Sequence, residues 1–330
     1  MEQTEKAAAA SAEETSQKEF DSLIESLPKI PNWARGHCYK YEGFWYWEDV
    51  LRPILSCKKH FRARDSDVIL SSFPKCGTTW LKAIVYTIVN RDKYPIGSED
   101  HPLLTNNPHA LIPGLEWNVY YANNAIPDIS NVPAPRLLGT HSPALSLGDE
   151  VMRSGCKIIY ICRNIKDCFI SFWDFVNKFK TEGADGVTSL DEVFGSFCSG
   201  EDVYGPFWDH FLVHWKLSLT APERLMFLTY EQISEQPNHY VKKIAEFLGC
   251  PFSDVEEDAQ VVNGVVKMCS FNHLSQLEVN KSGINKNGIP YRNLFRRGQV
   301  GDSKNFLSPE MMDRMDCIAQ EKFSPYGLKM

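Results

Sequence analysis

The chain has 330 residues, of which 43% are hydrophobic, and a formal net charge of −7. This length and apolar content are sufficient for a substantial core, whereas the acidic balance argues against a general nucleic-acid binder, which would be basic. The sequence contains no apolar run of about 18 residues, the length of a membrane span. The first 17 residues also lack the pattern of a signal or transit peptide. We therefore expect a disordered tail at 1–17, one domain at 18–330, and a cytoplasmic protein without a membrane partner.

The cysteines and histidines indicate no metal site. The ten cysteines include no CxxC pair, and several lie within apolar runs, where a thiol behaves as a small hydrophobic group. The nine histidines show no metal-ligand spacing. We expect free thiols in a reducing compartment and no bound metal.

The N-terminal part is dense in aromatic residues. Residues 20–27 have the pattern of a short helix, and seven aromatic residues follow within 33–47. These side chains either pack against the core or form one wall of a pocket for an apolar ligand, and the sequence leaves both interpretations open. Trp45 is our candidate for ligand contact in this segment.

The central feature of the sequence is a strand, a glycine-containing turn and a helix. Residues 68–70 form an apolar run typical of a buried strand, and apolar residues recur with helical spacing at 81–89. The turn at 75–79 places backbone N–H groups, two threonine hydroxyls and Lys75 at a helix N-terminus, where an anion is favoured. A threonine cap would explain Gly-Thr-Thr by itself, but a cap needs no cation. We therefore predict a phosphate site.

This turn differs from the Walker pattern GxxxxGK[ST]. Ser72 stands at the position of the first glycine, and Thr78 stands at the position of the lysine. No clear aspartate for magnesium follows a later apolar strand. The pattern therefore argues against ordinary nucleotide hydrolysis or phosphoryl transfer.

Strands and helices alternate in the rest of the chain. Residues 91–135 are rich in Pro and Asn and predict a long irregular connection that covers a site or is mobile. Apolar runs at 137–141, 157–162 and 225–228 predict strands, and 281–290 predicts a flexible loop. The alternation is typical of an α/β fold with a mainly parallel sheet flanked by helices.

Three polar residues, Lys75, His141 and Arg163, come directly after predicted strands. Ligands of open α/β sheets bind beyond the carboxyl ends of the strands, so we expect these residues at one site. His141 has the proton affinity of a general base, although a lone histidine at a strand end is often structural. Arg163 with Ser171 would form a second anion site, because a guanidinium matches phosphate; alternatively, Arg163 only caps its strand.

Four separated motifs resemble those of the cytosolic sulfotransferases, especially the plant members. Residues 74–80 are similar to the 5′-phosphosulfate loop of the family, PKSGTTW, with Cys76 in place of Ser. Residues 140–143 resemble the THxP segment that holds the catalytic base. Residues 160–171 resemble YxxRNPKDxxxS, which binds the 3′-phosphate of the cofactor, and residues 296–303 resemble RKGxxGDW.

The resemblance implies an enzyme that uses 3′-phosphoadenylyl sulfate, without a metal, to sulfate a hydroxyl of a small organic acceptor. The acceptor would be phenolic, steroid-like or another specialised metabolite. The implied catalytic residues are His141 as base and Lys75 at the leaving group, and the candidate acceptor-binding residues are Trp45, Phe175 and His141. The implied cofactor-binding residues are Lys75, Cys76, Gly77, Thr78, Thr79, Trp80, Arg163, Ser171, Tyr230, Phe271, Arg296, Arg297 and Gly298.

The sequence departs from the family pattern at several positions. Gly139 stands where many animal members have a lysine two residues before the histidine, so the contribution of that lysine must come from elsewhere, with Lys75 as the candidate. Ser303 replaces the tryptophan of RKGxxGDW. Pro309 replaces the valine of the family's dimer segment, KxxxTVxxxE, and removes a backbone donor. This last change predicts a monomer.

Two other functions stay open from the residues alone. One is a small-metabolite kinase with a divergent phosphate loop, which ATP use and magnesium dependence would distinguish. The other is a nucleotide-binding protein without catalysis, which cofactor affinity without turnover would reveal. The sequence does not name the acceptor, because a fold does not specify its substrate.

Overall fold

The computed structural model describes residues 16–121, 127–180 and 186–330. The described chain begins in helix α1, at residues 16–26. Ser16 and Gln17, which the sequence analysis assigns to the tail, belong to this helix. The rest of the predicted tail lies outside the described residues.

The aromatic N-terminal segment folds as a small antiparallel sheet, which the sequence analysis does not predict. Its strands, in the order β1-β2-β3, are Lys29–Pro31, His37–Tyr41 and Phe44–Trp47. All four residues of β3 are buried. Most of the aromatic side chains of this segment therefore contribute to the core.

A four-stranded parallel sheet forms the centre of the fold, in the order β5-β4-β6-β7. Its strands are β4 at Val68–Ser72, β5 at Leu137–Thr140, β6 at Lys157–Cys162 and β7 at Leu225–Thr229. Every residue of β4 is buried, as expected for an inner strand covered on both faces. The predicted α/β fold with a parallel sheet is confirmed.

Helices cover both faces of this sheet. After α1, they are α2 Glu48–His60, α3 Thr78–Asn90, α4 Pro108–Leu111, α5 Asp149–Arg153, α6 Ile165–Lys180, α7 Leu190–Ser199, α8 Phe207–Thr220, α9 Tyr230–Glu235, α10 Pro237–Leu248, α11 Asp254–Asp258, α12 Val261–Met268, α13 Phe271–Gln276, α14 Glu278–Ser282 and α15 Pro309–Phe323. Within the described residues, none of them is both long enough and apolar enough to span a bilayer.

Two apolar cores lie on opposite sides of the sheet. Because side chains alternate along a strand, Ile69 packs in the core that contains α6 and α8, whereas Val68 and Leu70 pack in the core that contains α3 and α10. Both faces are thus covered by helices, and the free part of the sheet is its carboxyl edge.

The parallel register brings the ends of the strands into line. Ser71 of β4 lies beside Thr140 of β5 and Tyr160 of β6, and Cys162 of β6 lies beside Thr229 of β7. The segments that follow the four strands therefore leave the sheet along one edge.

The long connections are more ordered than the sequence predicts. The segment 91–135 contains three short helical stretches, and 122–126 lies outside the described residues. In the predicted loop 281–290, Ile284 and Pro290 pair in an antiparallel bridge. The helical stretches of 91–135 are Pro102–Leu104, Pro108–Leu111 and Leu115–Val119.

Candidate active site

A cavity of about 530 Å³ opens at the carboxyl edge of the sheet. Lys75, His141 and Arg163, which the sequence predicts at this edge, all line it. Most other predicted site residues also lie on its wall, namely Gly77, Thr78, Thr79, Trp80, Ser171, Phe175, Tyr230, Phe271, Arg296, Arg297 and Gly298.

Two predicted site residues, Trp45 and Cys76, do not line the cavity. Trp45 is buried in β3 with its ring centroid 5.3 Å from Lys40 Nζ, and the residue of β3 on the cavity wall is Trp47. Cys76 is fully buried, with its Sγ 3.5 Å from Cys168 Sγ. The thiol therefore faces the core, and only the backbone of Cys76 belongs to the loop.

The loop before α3 has the backbone of an anion cradle. Lys75 and Gly77 have φ angles of +68° and +105°, a region that glycine adopts freely and other residues adopt at a cost of about 1–3 kcal/mol. A Cβ on Gly77 would lie 2.8 Å from the ring of Tyr230 and 3.2 Å from Ile161, so the position requires glycine. Helix α3 has no side-chain cap, and its first N–H groups have no partner within the helix. These donors are available to an anion.

Lys75 adds a cation to this cradle. Its Nζ lies 4.1 Å from the centroid of the Phe175 ring. Burial lowers the pKa of Lys75 to about 7, although Asp174 acts in the opposite direction. A phosphate bound at the loop would favour the charged form of Lys75 and raise this pKa again.

His141 is held in one tautomer. Its Nδ1–H donates to the carbonyl oxygen of Ser72 over 2.9 Å, so the lone pair of the neutral ring is at Nε2. Its backbone N–H donates to Glu116 Oε1 over 2.5 Å, and His210 Nε2–H donates to its carbonyl oxygen over 2.8 Å. Burial lowers the pKa of His141 to about 3, so the ring is neutral at pH 7. The neutral ring therefore has one unprotonated nitrogen, Nε2.

Three polar residues of the wall, Lys82, His109 and Glu116, were not predicted as site residues from the sequence. Lys82 donates from Nζ to His109 Nδ1 over 3.2 Å, and His109 Nε2–H donates to Thr79 Oγ1 over 2.9 Å. Within the described residues, the buried Oε2 of Glu116 has no hydrogen-bond partner, and burial raises the pKa of this carboxyl group. The sequence signal that could have indicated Lys82 is that it is the one charged residue of α3.

A second group of cations follows β6. Arg163 is 5% exposed, and its Nη2 donates to the carbonyl oxygen of Gln299 over 2.6 Å and to Asp167 Oδ2 over 3.4 Å. In the described part of the chain, the buried Nε atoms of Arg163 and Arg296 have no hydrogen-bond partner. Buried guanidinium N–H donors that have no partner and lie beside a cavity indicate a site for an anion.

Two buried aspartates orient this second group. Asp302 accepts hydrogen bonds from Nη1 of Arg296 and, over 2.7 Å, from Nη1 of Arg297. Asp167 accepts from the backbone N–H groups of Gly301 over 2.7 Å and Ser303 over 2.8 Å. The sequence motifs contain both aspartates, but only the structure shows that they position the cationic loop.

Aromatic rings lie between the two anion-binding groups. The ring centroids of Trp80 and Tyr230 are 5.1 Å apart, and the Tyr230 hydroxyl donates to the carbonyl oxygen of Gly298 over 3.0 Å. A Cβ on Gly298 would lie 2.5 Å from Phe271, so glycine allows the loop to rest on that ring. Flat apolar walls of this kind accept an aromatic ligand by stacking.

The cavity can therefore hold two anionic groups and remove a proton from a further molecule. Its positive charge comes from side chains and helix N–H groups. Among the residues described, no cluster of three or more His, Cys, Asp or Glu side chains is placed to hold a metal ion.

The fold and these motifs belong to a known class of protein. The family model described as Sulfotransferase domain matches residues 65–327, so the chain belongs to the sulfotransferase family and is an enzyme of that class. Its relatives in Arabidopsis thaliana include cytosolic sulfotransferase 12, 44% identical over 313 residues, and cytosolic sulfotransferase 5, 42% identical over 313 residues. These alignments cover 94% of this chain and, respectively, 94% and 96% of the relatives. The predicted family is confirmed.

Solved structures agree with this assignment. The structure of a candidate steroid sulphotransferase from Arabidopsis thaliana matches with a TM-score of 0.75 and 38% identity, over 94% of both chains. Mouse sulfotransferase SULT7A1, crystallised in complex with PAP, matches with a TM-score of 0.65 and 24% identity, over 87% of this chain and 95% of that chain. At this identity, the likeness to the mouse protein shows a shared fold.

Proposed function

We propose that this enzyme transfers the sulfuryl group of 3′-phosphoadenylyl sulfate to a hydroxyl of a small organic acceptor, with His141 as the general base. The observation that carries the proposal is the tautomer of His141. Its Nδ1–H is bound to the Ser72 carbonyl oxygen, which leaves the basic Nε2 in a cavity shared with the Lys75 loop.

The residues of the cavity fit the proposed co-substrate. The N–H groups at the start of α3 and Lys75 suit a 5′-phosphate group, and the unpaired Nε atoms of Arg163 and Arg296 suit a 3′-phosphate. The rings of Trp80 and Tyr230 on the cavity wall suit the adenine ring as stacking surfaces. When bound, the co-substrate supplies an activated sulfuryl group. PAP is 3′-phosphoadenosine 5′-phosphate, which is the co-substrate without its sulfuryl group. The PAP complex of the mouse neighbour supports this assignment of the cavity.

The side chains divide the chemistry between two sides of the cavity. On the acceptor side, His141 Nε2 takes the proton of the attacking hydroxyl. On the other side, Lys75 and the loop N–H groups stabilise the charge of the departing phosphate, as donors of an oxyanion hole do. Because side chains and amides supply this positive charge, we propose that the reaction needs no metal.

The acceptor side of the wall is aromatic. Trp47, Trp117, Phe172, Phe175 and Tyr204 line the cavity. Such a wall suits a flat hydrophobic molecule with a hydroxyl, such as a phenolic compound, a steroid-like compound or another specialised metabolite. Phe175 therefore stays a candidate for acceptor contact, and Trp47 takes the place of Trp45.

We further propose that the enzyme acts as a cytoplasmic monomer. The compartment is supported by the names of the cytosolic relatives. The monomer is supported by Pro309 in the segment that resembles the family's dimer motif.

The direct test is transfer of label from 3′-phosphoadenylyl [³⁵S]sulfate to a panel of flavonoids, steroids, hydroxyjasmonates and desulfo-thioglucosides. We expect a labelled product with at least one acceptor, with the same rate in excess EDTA. A parallel assay supplies ATP and magnesium with the same acceptors. Activity that is lost in EDTA and restored by magnesium, or phosphate transfer from ATP, would contradict the proposal and favour a kinase.

A further inference from the structure

The ammonium group of Lys82 occupies the space in which a side chain at position 139 would begin. A Cβ built on Gly139 would lie 2.8 Å from Lys82 Cε and 2.9 Å from Lys82 Nζ. Gly139 belongs to β5, and His141 is the first residue after the end of this strand. Lys82 thus reaches from α3 to the face of β5 that leads to the base.

The hydrogen bonds of Lys82 leave part of its ammonium available. Lys82 is 3% exposed, and within the described residues the hydrogen bonding of its ammonium is limited to the bond to His109 Nδ1. His109 is in turn fixed by Thr79 at the start of α3. Two of the three N–H groups of the ammonium are therefore free on the wall of the cavity.

A purely structural role explains this lysine poorly. Burial lowers the pKa of Lys82 to about 8, with the charge of Glu116 acting in the opposite direction. In the part of the chain that the structure describes, no carboxylate is hydrogen-bonded to this ammonium, so the single hydrogen bond to His109 offsets its desolvation only in part. The positive charge of Lys82 also lowers the pKa of His141, which shows that the ammonium and the base share one electrostatic environment.

We propose that Lys82 is a second catalytic cation, which binds the oxygens of the sulfuryl group during transfer and performs the task left open by Gly139. This inference rests on the proposed function. The acceptor oxygen forms its bond to sulfur while the bond from sulfur to the phosphate oxygen breaks, and the electron pair of that bond stays on the phosphate. The acceptor proton moves to His141 Nε2, Lys75 faces the phosphate, and Lys82 faces the sulfuryl oxygens.

The first test is Lys82→Met, which keeps the length of the side chain and removes its charge. We expect kcat to fall about a hundredfold, as for the loss of one oxyanion-hole donor, with KM for the acceptor and Kd for PAP within about threefold of the wild type. Melting temperatures show whether a loss of kcat comes from a loss of the fold. The matched control, Lys243→Met on the exposed face of α10, should leave all these quantities unchanged.

The second test moves the lysine. Gly139→Ala alone should lower activity and the melting temperature, because its Cβ displaces Lys82, whereas the same change in a Lys82→Ala background should cause no further loss. A double variant, Lys82→Ala with Gly139→Lys, should have a kcat at least about tenfold higher than that of Lys82→Ala. Equal effects of Gly139→Ala in both backgrounds, or absence of rescue, would contradict the inference.

A third test does not depend on turnover. Acetylation of Lys82 by acetic anhydride, followed by mass spectrometry without acceptor, should be slowed more by 3′-phosphoadenylyl sulfate than by PAP, because only the former carries the sulfuryl group. Equal protection by both would overturn the inference, as would a Lys82→Met enzyme with kcat within threefold of the wild type. If the wild type transfers no label at all, the proposed function fails instead.

Discussion

Arg163 offers a sharp test of how the site selects its nucleotide. PAP differs from adenosine 5′-phosphate by a 3′-phosphate, which we assign to Arg163 and Arg296. The substitution Arg163→Gln removes the charge and the Nε donor but keeps much of the side-chain volume. We expect it to weaken PAP binding strongly and adenosine 5′-phosphate binding hardly at all.

The expected magnitude follows from the partners of Arg163. Its unpaired buried Nε is available for one charge-assisted hydrogen bond, which contributes about 1.5–3 kcal/mol. The loss corresponds to a roughly ten- to hundredfold increase in Kd. The substitution also removes the hydrogen bond from Arg163 to the carbonyl oxygen of Gln299 and a cation 3.4 Å from Asp167. Asp167 keeps its hydrogen bonds from Gly301 and Ser303, which should hold the cationic loop in place.

Calorimetric titration of both nucleotides into the wild type and the variant measures this difference. The matched control is Arg297→Gln, because the side chain of Arg297 is 50% exposed and solvent weakens its interaction with an anion. Its loss of PAP affinity should be less than tenfold. Melting temperatures identify any variant that has lost its fold. Equal weakening of both nucleotides by Arg163→Gln would refute the assignment of the 3′-phosphate.

Four further outcomes are expected. His141→Ala should reduce kcat about 10²- to 10⁴-fold with unchanged PAP affinity, and a variant with over half the wild-type activity would exclude His141 as the base. Without bound nucleotide, Lys75 has a pKa of about 7, so it is mostly neutral at pH 8. PAP binding should raise this pKa and therefore take up protons at pH 8. Titrations in buffers of different ionisation enthalpy measure the uptake, and its absence would contradict the prediction. Cys76→Ser should keep near-wild-type kcat because the thiol faces the core, and a tenfold loss would show that the loop depends on sulfur. Because of Pro309, light scattering at micromolar concentration should give the mass of one chain, and twice that mass would contradict the monomer.

The sequence predicts the central fold well because the signals are local. Apolar runs identified β4 to β7, and helical spacing identified α3, since each pattern depends on neighbours along the chain. Gly249, directly after α10, adopts the left-handed conformation typical of a glycine that ends a helix. The N-terminal sheet was missed because the aromatic run at 33–47 shows little alternation of apolar and polar residues, and both its pairing and its burial depend on distant elements.

The residues of the candidate site were likewise predicted only in part. The loop, His141 and Arg163 were placed together correctly because parallel strands put their carboxyl ends on one edge. Trp45 was chosen over Trp47 without any means of deciding which side chain of β3 reaches the cavity. Lys82 was missed because its role depends on a glycine more than fifty positions away in the chain.

The sequence by itself therefore determined the parallel α/β fold, the turn before α3 and the identity of the family. These features are written in short segments whose residue order dictates backbone conformation. Only the tertiary structure decided how separate segments combine. The carbonyl oxygen of Ser72 in β4 fixes the tautomer of His141, and Asp167 of α6 positions the cationic loop. The reason is physical, because hydrogen bonds and electrostatic shifts depend on distances in space, which no local pattern along the chain specifies.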